Sequence, residues 1–275
     1  IERKHSLGIS INPLDAAEIS QNILHKLNSA VLMSGTLLPL AMHADILGVQ
    51  KPMLKEYLSP FPKENRLNLF VDKTTTKFTD RSAQQYKNIA SEINSVVSKV
   101  PGNTIVFFPS FELLESIAPN LNVGRKLLKQ EREMKNEDKH KLIHDFKLLG
   151  SSFGGVLLAV SGGSIAEGVD FPGEHLACAI VVGIPFAKVS IYTDAMIKFY
   201  EQKFGSGKGF EYAYTAPAIS KAVQAAGRVI RTETDKGTCI FLDKRFSEKK
   251  YEKFFPKDFT AEKTLDSGKE VGEFF

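Results

Sequence analysis

Cysteine is scarce in this sequence, and long apolar runs are missing altogether. The 275 residues include two cysteines, Cys178 and Cys239. Both fall in apolar stretches, which indicates buried, reduced strand residues and excludes a disulfide framework. No run approaches the roughly 20 apolar residues that a membrane-spanning helix needs, and no stretch has the pattern of a signal peptide. We therefore expect no membrane partner and an intracellular protein, cytoplasmic if the source is prokaryotic and nuclear if it is eukaryotic.

The sequence also lacks the two motifs with which a nucleotide-hydrolysing domain binds phosphate and magnesium. It contains no Gly-x-x-x-x-Gly-Lys-Ser/Thr loop and no Asp-Glu box. The run from Gly205 to Gly209 looks similar, but Gln202 stands where the first glycine should be, and Gly209 replaces the Ser or Thr. We interpret this run as a flexible surface loop. Because no group of Cys, His, Asp and Glu has metal-ligand spacing either, we expect no metal to be held by this chain alone.

Length, composition and charge are those of an ordinary globular protein. The mass of 30.5 kDa allows one large domain or two small ones, and 43% hydrophobic residues can bury a large core. The chain starts at Ile1 rather than Met, so we expect it to be processed or excised from a longer protein. The net charge of +4 is compatible with a nucleic-acid partner but does not indicate one, because binding depends on where the charges lie.

Short apolar runs alternate with amphipathic segments along most of the chain. Strands are predicted at Ala30–Met33, Leu67–Val71, Thr104–Phe108, Val123–Gln130, Val156–Val160, Leu176–Ile184 and Thr238–Leu242. Helices are predicted at Asp15–Leu27, Pro39–Leu47, Ser82–Val100, Phe111–Ala118, about Leu142–Leu149, Ile191–Phe204 and about Ala216–Arg231. This alternation is typical of a parallel sheet covered on both faces. In such sheets the ligand lies at the carboxyl ends of the strands.

The segment Gln224–Arg231 carries two arginines three residues apart. If the helix continues through it, Arg228 and Arg231 project from one face, and Gln224 lies one turn earlier. Gly227 precedes the first arginine and allows another backbone to come close. Two planar, permanently charged guanidiniums on one face suit phosphate. The alternative is a solvated basic helix face, which a lone Arg-x-x-Arg pattern favours.

Four segments, in the expected order, resemble motifs of one family. They are Val31–Leu37 for a Ser-Gly-Thr motif, Ile105–Phe111 for motif IV, Ser161–Pro172 for motif V and Gln224–Arg231 for motif VI. The chain therefore resembles the second motor domain of superfamily 2 helicases, in particular the XPD/DinG-like DNA helicases, from about Leu27 to Phe255. The resemblance implies an α/β, RecA-like fold of the P-loop NTPase type, with a mostly parallel sheet and helices on both faces.

The resemblance also implies how the chain is organised. Residues 1–50 would hold the end of the first motor domain and the connection with the Ser-Gly-Thr motif, residues 51–260 the second RecA-like domain, and residues 261–275 a C-terminal tail. ATP and Mg2+ would be shared with the missing N-terminal motor domain of the same protein, and single-stranded DNA would be the other partner. A 4Fe-4S cluster is implied for the parent protein alone, since none of the family's four cluster cysteines occurs here.

The same resemblance assigns candidate roles to individual residues. Arg228 and Arg231 would be the catalytic residues, acting as arginine fingers on the γ-phosphate. Nucleotide binding or coupling would fall to Gln224, Gly227, Glu167, Gly168, Asp170, Ser34, Gly35 and Thr36. DNA binding would fall to Ser110, Phe111, Ser161 and Lys188. A core position for Phe111 and a local capping role for Glu167 are open alternatives, and we expect Asp243 and Arg245 to hold the fold together.

Two functions from different classes follow from these features. The first is the C-terminal motor domain of an ATP-dependent, 5′-to-3′ DNA helicase that moves on single-stranded DNA, often in DNA repair. On this hypothesis the isolated chain is inactive, because the phosphate loop lies elsewhere in the parent protein. The second is an α/β module that binds DNA or a protein without a nucleotide. A phosphate loop and a carboxylate box encoded just upstream of Ile1 would decide between them.

Overall fold

The computed structural model describes residues 11–163, 165 and 176–275. The candidate residues Glu167, Gly168 and Asp170 therefore lie outside the described residues. The chain forms two compact units, each built from two separate stretches. The smaller unit consists of Ile1–Lys55 and Lys188–Tyr214, and the larger of Glu56–Ala187 and Thr215–Phe275.

The larger unit is built on one sheet. Within the described ranges its strands are β1 (Arg66–Val71), β2 (Thr104–Phe108), β3 (Lys126–Lys129), β4 (Gly155–Val160), β5 (Cys178–Val182), β6 (Gly237–Leu242) and β7 (Glu262–Thr264). They lie in the order β3-β4-β2-β5-β6-β1-β7, and every neighbouring pair is parallel. This arrangement confirms the predicted α/β fold with a parallel sheet.

Helices of at least seven residues account for most of the remaining regular structure in the described ranges. They are α1 (Ala16–Leu24), α2 (Leu40–Leu47), α3 (Ala83–Val97), α4 (Phe111–Ile117), α5 (Asn136–Leu149), α6 (Ile191–Phe204), α7 (Ala216–Ala226) and α8 (Ser267–Phe274). Several of them begin at a capping side chain. Asp15 caps α1 and Ser82 caps α3, accepting from the N–H groups of Ala17 and Gln85. No helix in the described part of the chain is long and apolar enough to cross a membrane.

The two faces of the sheet are covered by different layers. On β1, Leu69 and Val71 belong to an aliphatic core that includes Ile89 and Ile93 of α3. Phe70 lies between them in sequence and faces the opposite side of the sheet. Its ring lies between 5.4 and 6.2 Å from the rings of Phe241, Phe246, Phe255 and Phe259. Because both faces are covered, the central strands β2, β5 and β6 are buried at every position, which explains their continuous apolar sequences.

The regular secondary structure described in the smaller unit is helical. Its helices α1 and α2 are joined by two side-chain hydrogen bonds, from the Ser20 hydroxyl to the Leu47 carbonyl and from the Gln21 amide to the Gly48 carbonyl. Gly48 ends α2 with a left-handed backbone (φ 63°), a conformation that favours glycine. Asp15 accepts two hydrogen bonds from the Lys203 ammonium of α6, at 2.5 and 2.6 Å, and this contact lowers the pKa of the carboxyl.

The predicted buried strand Ala30–Met33 is wrong. These residues have no regular secondary structure, and the side chains of Val31 and Met33 are 85% and 84% exposed. A strand exists only when its backbone groups pair with a neighbour, and no described strand pairs with this run. The residues of this run are of the types that favour a strand. Their pattern could not show that no described strand pairs with them.

The segment after residue 260 has more structure than its polar sequence indicates. Strand β7 pairs with β1, and the side chain of Val271 in α8 is fully buried in the aliphatic core. The Ser267 hydroxyl donates to the buried carboxylate of Glu92 at 2.7 Å, and Lys73 forms an ion pair with the same carboxylate. These contacts attach the segment to α3, so it closes one edge of the sheet.

Candidate functional site

The carboxyl ends of β2 and β4 bring together two residues predicted to bind DNA. The two strands are neighbours, with Phe108 opposite Val160. Ser161 follows β4 directly, and its backbone N–H donates to the Phe108 carbonyl oxygen at 2.8 Å. Ser110 lies two residues beyond Phe108. The two serines therefore leave adjacent strands at the same edge of the sheet, where parallel folds bind ligands.

Ser110 and Phe111 form the start of α4. The Ser110 hydroxyl oxygen caps the helix by accepting from the Leu113 N–H at 3.3 Å, which leaves its own proton available to donate. Phe111 is half-buried, so it is not a core residue. The Arg132 guanidinium lies 5.3 Å from its ring centroid and donates to both carboxylate oxygens of Glu115. That contact lowers the pKa of the Glu115 carboxyl.

Gln130 supports the start of the Ser161 segment, a role that was not predicted from the sequence. It stands directly after β3, at the start of a charged run, yet it is only 6% exposed. Its backbone N–H donates to the Leu158 carbonyl, and its side-chain oxygen accepts from the Val160 N–H, both at 2.9 Å. The available signal was its position at the carboxyl end of an edge strand, beside the motif V strand.

The two candidate catalytic arginines do not share a helix face. Helix α7 ends at Ala226, with Gly227 as its C-cap, so Arg228 and Arg231 lie in an irregular segment beyond it. Arg228 is buried, at 9% exposure, whereas Arg231 is exposed. The backbone N–H of Arg231 donates to the Asp235 carboxylate at 2.7 Å, which fixes the local chain in a turn. The prediction of one continuous helix to Arg231 is therefore wrong.

Packing against β6 explains why the helix stops. Gly237 begins β6, and a Cβ on this residue would lie 2.1 Å from the Val229 side chain and 2.9 Å from the Ala177 carbonyl oxygen. Val229 is buried in that contact. The chain has to leave the helical path after Gly227 to place Val229 over the glycine, and this turns Arg228 inward and Arg231 outward.

The remaining candidate residues have different surroundings. Gln224 and Gly227 are exposed near the end of α7 in the larger unit. Lys188 is exposed in the smaller unit, in an irregular stretch before α6. The Ser-Gly-Thr motif also belongs to the smaller unit, where the Thr36 N–H donates to the Ser34 hydroxyl at 3.3 Å in an open turn around Gly35.

A buried ion pair occupies the carboxyl end of β6. Asp243 is fully buried and accepts from the backbone N–H, Nε and Nη2 of Arg245, the last two at 2.8 and 2.7 Å. Thr76, which follows β1, donates to the same carboxylate through its N–H at 2.7 Å and its hydroxyl at 3.1 Å. Thr75 donates a further hydrogen bond. All of these contacts are internal, which agrees with the structural role expected for Asp243 and Arg245.

The glycine-rich run between α6 and α7 uses its amides internally. The Gly207 and Gly209 N–H groups donate to the two carboxylate oxygens of Glu201, at 2.6 and 2.8 Å. These hydrogen bonds, the Gly207 one first, lower the pKa of Glu201. A phosphate loop needs free amides directed at its anion. The Gly207 and Gly209 amides therefore bind the chain's own Glu201 rather than an external anion.

The two cysteines do not fit an iron–sulfur cluster. A cluster of this kind takes four cysteine thiolates, and Cys178 and Cys239 are both buried strand residues. Burial raises the pKa of both thiols, that of Cys239 to about 12, so the thiolate form is disfavoured. Within the described ranges, no three His, Cys, Asp or Glu side chains are grouped to hold a metal ion.

A parallel sheet with motif IV and the start of motif V at the carboxyl ends of two neighbouring strands gives the larger unit a RecA-like fold. A family model described as "Helicase C-terminal domain" matches residues 93–262, and the chain belongs to this family. Within this family, the chain is similar to XPD helicases.

The similar proteins are XPD helicases. The general transcription and DNA repair factor IIH helicase subunit XPD of Dictyostelium discoideum is 30% identical over 251 residues, which cover 85% of this chain and 32% of the relative. The ATP-dependent DNA helicase XPD of Sulfolobus acidocaldarius is 26% identical, over 79% of this chain and 39% of the relative. A solved apo structure of XPD has a TM-score of 0.68 at 26% identity, covering 90% of this chain and 51% of that chain. The chain spans about a third of the length of the curated relatives it matches.

Proposed function

We propose that this chain is the second motor domain of an ATP-dependent helicase that moves 5′ to 3′ on single-stranded DNA, in DNA repair. Membership of the helicase C-terminal domain family and the names of the relatives support this proposal. The observation that carries it is the meeting of motif IV and motif V at the adjacent ends of β2 and β4. The arginine-bearing segment that leads into β6 belongs to the same unit.

In the proposed mechanism Arg228 and Arg231 act on a nucleotide held mainly by the first motor domain. That domain would supply the phosphate loop and hold Mg2+. An arginine directed at the γ-phosphate stabilises the charge that redistributes during transfer, more than it stabilises bound ATP. Arg231 is already exposed and Arg228 is held inward, so we assign the direct phosphate contact first to Arg231. Gln224 and Gly227 would orient this segment, while Glu167, Gly168 and Asp170 would line the same cleft.

The DNA track would begin at the ends of β2 and β4. The Ser110 and Ser161 hydroxyls would contact phosphate oxygens, and the half-buried Phe111 ring would stack on a base. Lys188 would add a cation from the smaller unit, and Ser34, Gly35 and Thr36 would couple the two motor domains. The alternative, a module that binds DNA or protein without a nucleotide, predicts no effect of ATP in any form of the protein.

Substitution of the arginines in the full-length parent protein tests this proposal. Arg228→Ala and Arg231→Ala should each lower the DNA-stimulated kcat for ATP by about 10³-fold or more, with nucleotide affinity largely kept. Lys at either position should rescue poorly, because an ammonium cannot copy the planar guanidinium. The measurements are kcat, nucleotide affinity and melting temperature.

Arg245→Ala is the matched control for these variants. Its guanidinium is bound to the buried Asp243, so any loss of activity should accompany a lower melting temperature. If the Arg228 and Arg231 variants keep the turnover of the wild type, or lose it only as the control does, the two arginines are structural and the proposed mechanism is wrong.

A further inference from the structure

The side chain of Lys221, in α7, lies beside the glycine turn of motif V. Gly162 is the second residue after β4 and has a left-handed backbone, with φ of +74°. A Cβ on this glycine would lie 3.4 Å from the Lys221 Nζ, and 3.6 and 3.7 Å from its Cδ and Cε. The end of the lysine side chain therefore occupies the space beside the glycine, with its ammonium next to the turn that carries Ser161.

The proposed DNA contacts at this edge need a cation. Ser110, Phe111 and Ser161 are neutral, whereas most of the affinity for a nucleic-acid strand comes from neutralised phosphates. The nearby arginines are already engaged: Arg132 binds Glu115, and Arg81 donates to the Thr76 carbonyl and pairs with Glu112 at 3.8 Å.

Lys221 and Ser161 differ from these arginines. Lys221 forms no ion pair with any residue in the ranges 11–163 and 176–275. The buried Ser161 hydroxyl has no hydrogen-bond partner in that same part of the chain. The Lys221 ammonium thus lies next to Gly162, the residue that directly follows Ser161.

We infer that Lys221 binds a backbone phosphate of single-stranded DNA over the glycine turn at Gly162. This inference rests on the proposed function and extends its DNA track from the ends of β2 and β4 to helix α7. We favour a DNA phosphate over a nucleotide phosphate because Lys221 lies beside the glycine turn that carries Ser161, at the carboxyl end of β4. Lys221 supplies affinity without sequence preference, as phosphate contacts do.

Salt dependence of DNA binding tests the inference. The probes are fluorescein-labelled dT20 and a mixed-sequence 20-mer, titrated with the 275-residue chain at several salt concentrations. Lys221→Met and Lys221→Gln should weaken binding of both strands by the same factor. They should also reduce the log–log salt slope by about 0.7, the contribution of one phosphate contact on a single strand. Lys221→Arg should keep both the affinity and the slope.

Lys63→Met is the matched control, because Lys63 is exposed just before β1, at the opposite edge of the sheet. It should leave the slope unchanged. An unchanged slope in both neutral Lys221 variants, with wild-type binding intact, overturns this inference but leaves the proposed function standing. If the wild-type chain binds neither strand, the proposed DNA track fails, and the inference with it. Inorganic tripolyphosphate is the probe for a nucleotide site. If it protects the wild-type chain from thermal unfolding but not the Lys221 variants, and those variants still bind DNA, the lysine belongs to a nucleotide site instead.

Discussion

At the scale of single residues, the charged groups near the carboxyl ends of the strands differ in whether their ion pairs are buried or exposed. Asp243 is fully buried and accepts hydrogen bonds from Arg245, Thr75 and Thr76. A charge buried in this way is stable only while its partners remain. Arg132, by contrast, is more than half exposed in its pair with Glu115. The two ion pairs therefore offer a direct comparison of buried and exposed contacts.

We expect Arg245→Ala to lower the free energy of unfolding by about 3–5 kcal/mol, because it leaves the Asp243 carboxylate buried without its cation. Arg132→Ala, which removes an exposed pair of an arginine with a carboxylate, should cost about 0–1 kcal/mol. Urea unfolding of both variants and the wild type, followed by circular dichroism, measures the difference. Equal losses in the two variants would show that burial of Asp243 does not decide the stability of this region.

Residue positions were predictable from the sequence where the residues follow an apolar strand, whereas the roles of these residues stay predictions. The Ser110 and Ser161 segments were located because each directly follows an apolar strand. Gln130 and Lys221 were not, since a buried amide and a lysine across a turn have no local pattern. Their surroundings arise from elements that are distant in sequence.

At the scale of elements, one glycine decides how the arginine segment leaves α7. Val229 packs over Gly237 at the start of β6, in a space that holds no extra methyl group. Helix α7 ends at Ala226, before Val229, and this allows Val229 to make the contact. The register of the segment that carries Arg228 and Arg231 thus depends on a strand residue that belongs to no motif.

Gly237→Ala should lower the free energy of unfolding by about 1–3 kcal/mol, because the new methyl group overpacks the buried contact with Val229. Gly272→Ala is the control. Gly272 lies inside α8, and its new methyl group would meet only the flexible side chain of Lys99, at 3.3 Å. That substitution should be neutral or stabilising by up to about 1 kcal/mol, since alanine favours a helix. Thermal and urea unfolding of the two variants provide the test, and a Gly237→Ala protein as stable as the wild type would contradict the account of the helix end.

Strand and helix predictions succeeded and failed for identifiable reasons. The continuous apolar runs of β2, β5 and β6 were found because a parallel sheet buries both of their faces. Strand β7 was missed because its three residues, Glu-Lys-Thr, lie at an edge and are held by backbone pairing to β1. Ala30–Met33 was assigned as a strand for the opposite reason, since its residues are apolar but have no neighbour in the sheet.

At the scale of the whole molecule, the sequence contains the two-arginine segment but no Gly-x-x-x-x-Gly-Lys-Ser/Thr run. We expect the purified 275-residue chain to hydrolyse no ATP, with or without single-stranded DNA, because its sequence has no such run to bind the β- and γ-phosphates and their Mg2+. A steady-state ATPase assay with the full-length parent protein as the positive control measures this. Turnover above the buffer blank that Arg231→Ala retains would indicate a contaminating ATPase and would call for further purification. Turnover that Arg231→Ala abolishes would contradict the proposal that this chain is half of a motor.

The position of β1 in the sheet has a consequence for synthesis on the ribosome. This strand is the first of the sheet to be made, yet both of its neighbours, β6 and β7, are among the last. Arg66 has to wait for Gly237, roughly 170 residues later. At translation rates of about 5–20 residues per second, that wait lasts roughly ten to thirty seconds. During this interval the apolar strand has no native partner, and molecular chaperones have time to bind it.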